Sequence, residues 1–217
     1  MKDIKISNLL DKLIESDKDQ YDFSDIVDLD NALNRQLHIG EIDALVGDSV
    51  DSYIRFFNRQ DDEDNIPIEE REPIKLFIDS PGGDLVSAFT IIDAIRLSKT
   101  PVWTINIGAA YSAGFFIYIA GHERYAYPLS SFLFHEGSVA TGADAAKFRN
   151  FADFYKEQLE TMKDIVLKLT SISEEQYELH LKDDWWINAE KALELGICDK
   201  IVNSIDEVLW LKKKLII

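Results

Sequence analysis

Three compact apolar runs, "PIKLFIDS", "PVWTINIG" and "SFLFHE", mark the middle of the chain, and helix-patterned segments separate them. Strand-like runs alternating with helices need crossover connections, since a tight turn cannot bring the chain back parallel. The expected fold is therefore α/β with a largely parallel sheet. The first run closes on the turn signal "SPGG" and is followed by "DLVSAFTIIDAIRLS". There Leu85, Phe89, Ile92 and Ile95 share one helical stripe, and Asp84 stands at the helix start. Upstream, "RQLHIGEI" reads as a short strand, "DALVGDSVDSYIRFFNRQ" as a helix and the acidic "DDEDNIPIEERE" as a solvated loop. Downstream come a short buried helix "SAGFFIYIAG", a short strand "RYAYP" and a long amphipathic helix "AAKFRNFADFYKEQLETMKDIVLKLT". A further helix "SEEQYELHL" and a strand "ICDKIV" precede the C-terminal "SIDEVLWLKKKLII".

In open parallel sheets, ligands gather at the carboxyl ends of the strands. Gly82 and Gly83 follow the first run, Ser112 follows the second, and His135 ends the third. Ser112 lies in "GAAYSAG", whose small residues permit a tight strand-to-helix turn with free N–H groups at the helix start. The pattern is only a partial match to the G-x-S-x-G elbow, since Ala110 replaces the first glycine. Two roles stay open for Ser112: a helix-capping hydroxyl, or a nucleophile awaiting a base. The "GG" loop either caps a turn or turns its N–H groups toward a developing oxyanion, where a donor contributes ~3–4 kcal/mol. Among four histidines, His38 reads as structural and His122 as part of an exposed connection. His135, at a strand end and followed by Glu136 and Gly137, is set to face a pocket.

Composition narrows the class. A chain of 217 residues supports one full core, and a net charge of -17 argues against nucleic-acid or anionic-membrane binding, which needs clustered Lys and Arg. A single cysteine, Cys198, fits a reducing compartment; as part of "LGICDKIV" it reads as a buried hydrophobe rather than a nucleophile. No apolar run approaches the ~20 residues of a membrane span, and the N-terminus lacks a signal-peptide pattern, so a cytoplasmic protein is expected.

Taken together, "FIDSPGGDLVSAFTIIDAI", "INIGAAYSAGFFIYIAG", "RYAYPLSSFLFHE" and "INAEKALELGICDKI" resemble the proteolytic subunit of the Clp protease, a serine peptidase family. The likeness runs from about Leu37 to about Val202 in the same order and spacing. It implies a crotonase-like α/β spiral of ββα units with a protruding handle helix at about residues 143–170, within a peptidase domain at 36–205. Residues 1–35 would form a partner-facing N-terminal segment and 206–217 a tail. It further implies Ser112 as nucleophile, His135 as general base, and the Gly83 and Ala113 N–H groups as the oxyanion hole, with no metal or cofactor. The expected assembly is a homo-oligomer of heptameric rings stacked as a tetradecamer, fed unfolded protein by a Clp-type AAA+ unfoldase.

The third catalytic residue departs from the family pattern. Counting back from "AEKALELG" without a gap puts His180 where the family usually carries an Asp. Asp183 and Asp184 lie three and four residues further on. Either aspartate reaches His135 after a small loop shift, or His180 orients it, or the triad is broken. The last case corresponds to a weak or inactive ring subunit with an assembly role. A crotonase-type acyl-CoA enzyme, sharing fold and oxyanion logic, is a further alternative. Smaller departures are Glu136 after the histidine, the bulky Tyr111 before Ser112, and the tandem Trp185 and Trp186, read as core or interface anchors.

Overall fold

The structure is a computed structural model that describes residues 30–138, 142, 144–181 and 183–209. Most of the expected N-terminal segment and of the tail lies outside the described residues. The first element, β1 (Gln36–Ile39), leads into helix α1 (Ala44–Glu63), whose first turn is capped by Asp43 accepting from the Val46 N–H. Strand β2 (Ile74–Ser80) and helix α2 (Leu85–Leu97) flank the glycine turn, and Asp84 caps α2 through the Ser87 N–H. Then follow β3 (Val102–Tyr111), the wholly buried α3 (Ala113–Ile119), β4 (Glu123–Ala126) and β5 (Ser131–Phe134). Helix α4 (Ala145–Leu169), α5 (Glu174–His180), β6 (Trp185–Asn188), α6 (Ala189–Glu194) and β7 (Lys200–Ile201) complete the order.

Strands β1, β2, β3, β4 and β7 pair in that order, and all four pairings are parallel. Strand β3 is longer than its apolar run, because "AAY" continues the ladder. Its first half pairs with β4 and its last three residues, Ala109, Ala110 and Tyr111, pair with β5. The sheet therefore splits along β3, and Asn106 sits buried at the fork. Its side-chain amide donates to the Ser131 carbonyl, its side-chain oxygen accepts from the Gly108 N–H, and its backbone carbonyl accepts from Tyr127. Beyond the fork β6 adds to β5 antiparallel and, among the described residues, has no other strand partner. The "WWIN" segment becomes this strand because Ile187 fills the core while Trp186 stands on the opposite face.

Helix α4 runs 25 residues, yet only Met162 and Val166, in its last turns, are buried. Phe148 and Phe154 remain half-exposed. Leu159, Ile165, Leu167 and Leu169, partly buried, pack against the core beside them, and an amphipathic helix of this kind gains its stability from such packing rather than from propensity.

The acidic stretch departs from the expected solvated loop. Helix α1 continues through Asp61, whose side chain is fully buried and accepts two hydrogen bonds from Arg35, at 2.6 and 2.9 Å, and one from Thr100 at 2.7 Å. The neighbouring Asp62 pairs with Arg71 and Lys99. Burial opposes the Asp61 charge, but the Arg35 and Thr100 hydrogen bonds and the nearby guanidinium groups win and hold its carboxyl below the usual range. Such a depressed pKa contributes stability above the ordinary Asp value of about 3.9 that is lost as the pH falls through the native value. Asp61→Ala strands the Arg35 guanidinium against Phe57 and is expected to cost ~3–5 kcal/mol, measured by chemical denaturation. A loss below about 1 kcal/mol would show that water replaces the carboxylate freely.

Cys198 is buried as expected, but in the approach to the two-residue β7 rather than within a longer strand. Burial, reinforced by Asp199, pushes its thiol up to about 11. Iodoacetamide at pH 8 is expected to leave Cys198 unmodified in the folded chain and to alkylate it in denaturant. Fast alkylation of the native protein would contradict this burial.

Candidate active site

The glycine turn is shaped by two steric demands. Gly83 forms an isolated parallel bridge with Ile42, which donates to Gly82 O and accepts from Asp84 N. In such a bridge the hydrogen bonds go to the flanking residues, so the N–H of Gly83 itself points away from Ile42. Both Gly82 and Gly83 have positive φ, and a Cβ on Gly83 would stand 2.1 Å from the Ile42 carbonyl oxygen. A Cβ on Gly82 would stand 2.8 Å from Ser112 Cβ, so the turn packs directly against the serine.

Ser112 joins β3 to α3 with φ 53 and ψ -121, an unusual backbone for a residue with a side chain. It stands at the cap position, yet its hydroxyl makes no capping hydrogen bond, so the structural role left open by the sequence is not taken. The turn is held by the Ser112 N–H donating to Leu133 O at 2.9 Å. As the first residue of α3, Ala113 offers an N–H with no partner within the helix. Gly114 lets α3 approach β2, where a Cβ would meet the Ser80 side chain at 3.0 Å.

His135 follows β5 directly. Ser112, Ala113, Gly83 and His135 line one cleft of about 450 Å³, walled by Leu85, Phe116, Phe154 and Met162. His135 Nδ1 lies 3.4 Å from an Asp184 carboxylate oxygen. Its Nε2 is shielded from solvent and has no hydrogen-bond partner among the described residues, Ser112 Oγ included.

The register of β5 and β6 explains why the carboxylate at Nδ1 is Asp184. Leu133 pairs with Trp186 and Phe134 with Trp185. One step further along the same antiparallel register sets His135 opposite Asp184. Asp183 is exposed, and its side chain has no ion-pair partner among the described residues. His180 makes no hydrogen bond to His135; its ring stacks on Trp185, with centroids 3.9 Å apart and planes 17° from parallel. Of the three candidates for the third position, the structure brings Asp184 alone to the imidazole.

Sequence reasoning passed over two polar residues that build this region. Asp79 accepts from the Ala109 N–H, and its carboxylate occupies the space that a Cβ on Gly108 would need. Asn106 holds the fork. The only signal for either was a polar residue inside an apolar run.

Residues 66–205 match the sequence profile of the Clp protease family, described as "Clp protease". The chain belongs to the Clp protease family. Among its curated relatives, the ATP-dependent Clp protease proteolytic subunit of Paracoccus denitrificans is 31% identical over 139 residues, spanning 63% of this chain and 70% of that protein. Proteolytic subunit 2 of Pseudomonas aeruginosa is 33% identical over 143 residues, spanning 63% and 69%. Among solved structures, a mutant ClpP1 from Listeria monocytogenes superposes with a TM-score of 0.71 at 23% identity, covering 84% of this chain and 99% of that one. The fold is thus the crotonase-like α/β fold of Clp proteolytic subunits, as the resemblance implied. Membership of this family sets the acyl-CoA alternative aside. Among the described residues, no helix is long and apolar enough to cross a membrane.

Proposed function

We propose that this chain is a serine endopeptidase subunit that cleaves unfolded polypeptide. The observation that carries the reading is the unpartnered Ser112 hydroxyl on a strained strand-to-helix turn, sharing a cleft with an imidazole whose far nitrogen meets a carboxylate. Ser112 Oγ attacks the scissile carbonyl carbon while its proton passes to His135 Nε2. The carbonyl oxygen becomes an oxyanion that accepts from the Gly83 and Ala113 N–H groups. His135 then delivers the proton to the leaving amine, the C–N bond breaks, and an acyl-enzyme remains on Ser112. Water, deprotonated by His135, hydrolyses that ester and restores the hydroxyl. Asp184 holds the Nδ1–H tautomer and offsets the charge of the imidazolium.

The missing Ser112–His135 hydrogen bond favours a second reading, a catalytically weak ring subunit. Catalytic hydrogen bonds commonly tighten only when substrate is bound, so the first reading is preferred. In keeping with the family and the names of its relatives, the working form is proposed as stacked heptameric rings in the cytoplasm, loaded by a Clp-type AAA+ unfoldase. The handle role is assigned to α4, whose length and exposure suit an arm between rings.

A fluorophosphonate probe tests the chemistry. Wild-type protein is expected to be labelled on Ser112, and assembled rings that take up no label would favour the weak subunit instead. Native mass measurement tests the assembly; a monomer under all conditions would sink the ring proposal.

A further inference from the structure

Asp184 carries the proposed mechanism, yet almost nothing local holds it. It is more than half exposed, and its one described ion-pair partner is His135 itself. Its position depends on β6, a four-residue strand bonded on one side to β5. Strand ends of this length fray readily, and the end nearest Asp184 is the Phe134–Trp185 pair. Both faces of that end carry an aromatic contact. On one face Trp186 meets Tyr111 edge-on, with ring centroids 5.1 Å apart at 83°. Tyr111 is anchored in turn by a 2.7 Å hydrogen bond between its hydroxyl and that of Ser131. On the other face Trp185 stacks flat on His180 at the end of α5.

We infer that Trp185 and Trp186 form a two-sided aromatic clamp, with His180 and Tyr111 as its jaws, that positions Asp184 opposite His135. The clamp ties together the three strands that bear the site. Tyr111 immediately precedes Ser112, Leu133 lies beside both Tyr111 and Trp186 in register, and Trp186 is two residues from Asp184, on the same face by strand alternation. His180 therefore acts through its ring face and not through a proton, which accounts for an imidazole at the position where the family pattern led one to expect a carboxylate. These are positioning residues, and the inference rests on the reading of Asp184 as the partner of His135.

The test uses the full-length assembled protein and a fluorogenic peptide. Trp186→Ala is expected to lower kcat about tenfold with KM nearly unchanged, and Trp186→Phe to restore most of the loss. His180→Phe, which keeps a flat ring and removes both nitrogens, is expected to recover what His180→Ala loses. In an Asp184→Asn background, Trp186→Ala should cost nothing further, because the group it positions is already gone. A Trp186→Ala loss of equal size in both backgrounds, or a His180→Phe variant as impaired as Asp184→Asn, overturns the clamp. Hydrogen exchange supplies a readout independent of turnover: amides of residues 185–188 should exchange faster in Trp186→Ala and at wild-type rates in Trp186→Phe. Unchanged exchange in Trp186→Ala also overturns it. Failure of the catalytic reading looks different, since Asp184→Asn would then hydrolyse peptide at the wild-type rate while the exchange result still stood.

Discussion

Ser112→Ala is expected to abolish fluorophosphonate labelling and to lower kcat for peptide hydrolysis by roughly a millionfold, leaving the residual rate that binding and oxyanion donors supply alone. The size of the effect follows from covalent chemistry, since no neighbouring group replaces a lost nucleophile. Stability should barely change. The Ser112 hydroxyl caps nothing, and the turn is held by backbone through the Leu133 carbonyl. Alanine still has to adopt φ 53, as serine does, so the strain at the turn is the same in both proteins. Normal melting and no labelling are the expected result. Labelling that persists on another residue in Ser112→Ala would show that the nucleophile had been misassigned.

Asp184→Asn carries the second largest effect, a fall in kcat on the order of a thousandfold. An asparagine amide beside Nδ1 can donate, which selects the tautomer whose Nε2 is already protonated and unable to take the serine proton. In serine proteases that change costs about ten-thousandfold. Here the carboxylate is more than half exposed and its charge is partly screened by water, so the electrostatic share is smaller. Asp183→Asn, at an exposed carboxylate one residue out of register, is expected to stay within about twofold of wild type. Full activity in Asp184→Asn together with loss in His180→Phe would return the third position to His180.

Local pattern made much of the fold legible. Alternating apolar runs announced a parallel α/β sheet, and "SPGG" announced the turn at the end of β2. Small residues around Ser112 announced the strand-to-helix junction. These features depend on neighbours in the chain, which is why a sequence displays them. The buried Asp61 was hidden inside an acidic run because its partners, Arg35 and Thr100, are 26 and 39 residues away. Strand β6 was hidden because four residues with two tryptophans carry too short a pattern to separate a strand from a loop.

Reading along the chain was enough to single out the candidate groups: one serine at a small-residue junction, one histidine at a strand end, and two glycines able to turn their N–H groups outward. It also narrowed the third group to His180, Asp183 or Asp184. Which of these stands beside His135 depends on strand pairing, and there it is Asp184. Backward counting assumes that the chain between α5 and β6 keeps its length and path. An antiparallel ladder obeys a different constraint, because pairing Leu133 with Trp186 commits every later pair and sets Asp184 opposite the histidine. A one-residue slip would have turned Asp184 to the other face of the strand. That register is set by what Ile187 and Phe132 bury on the core side, which no local stretch of sequence encodes.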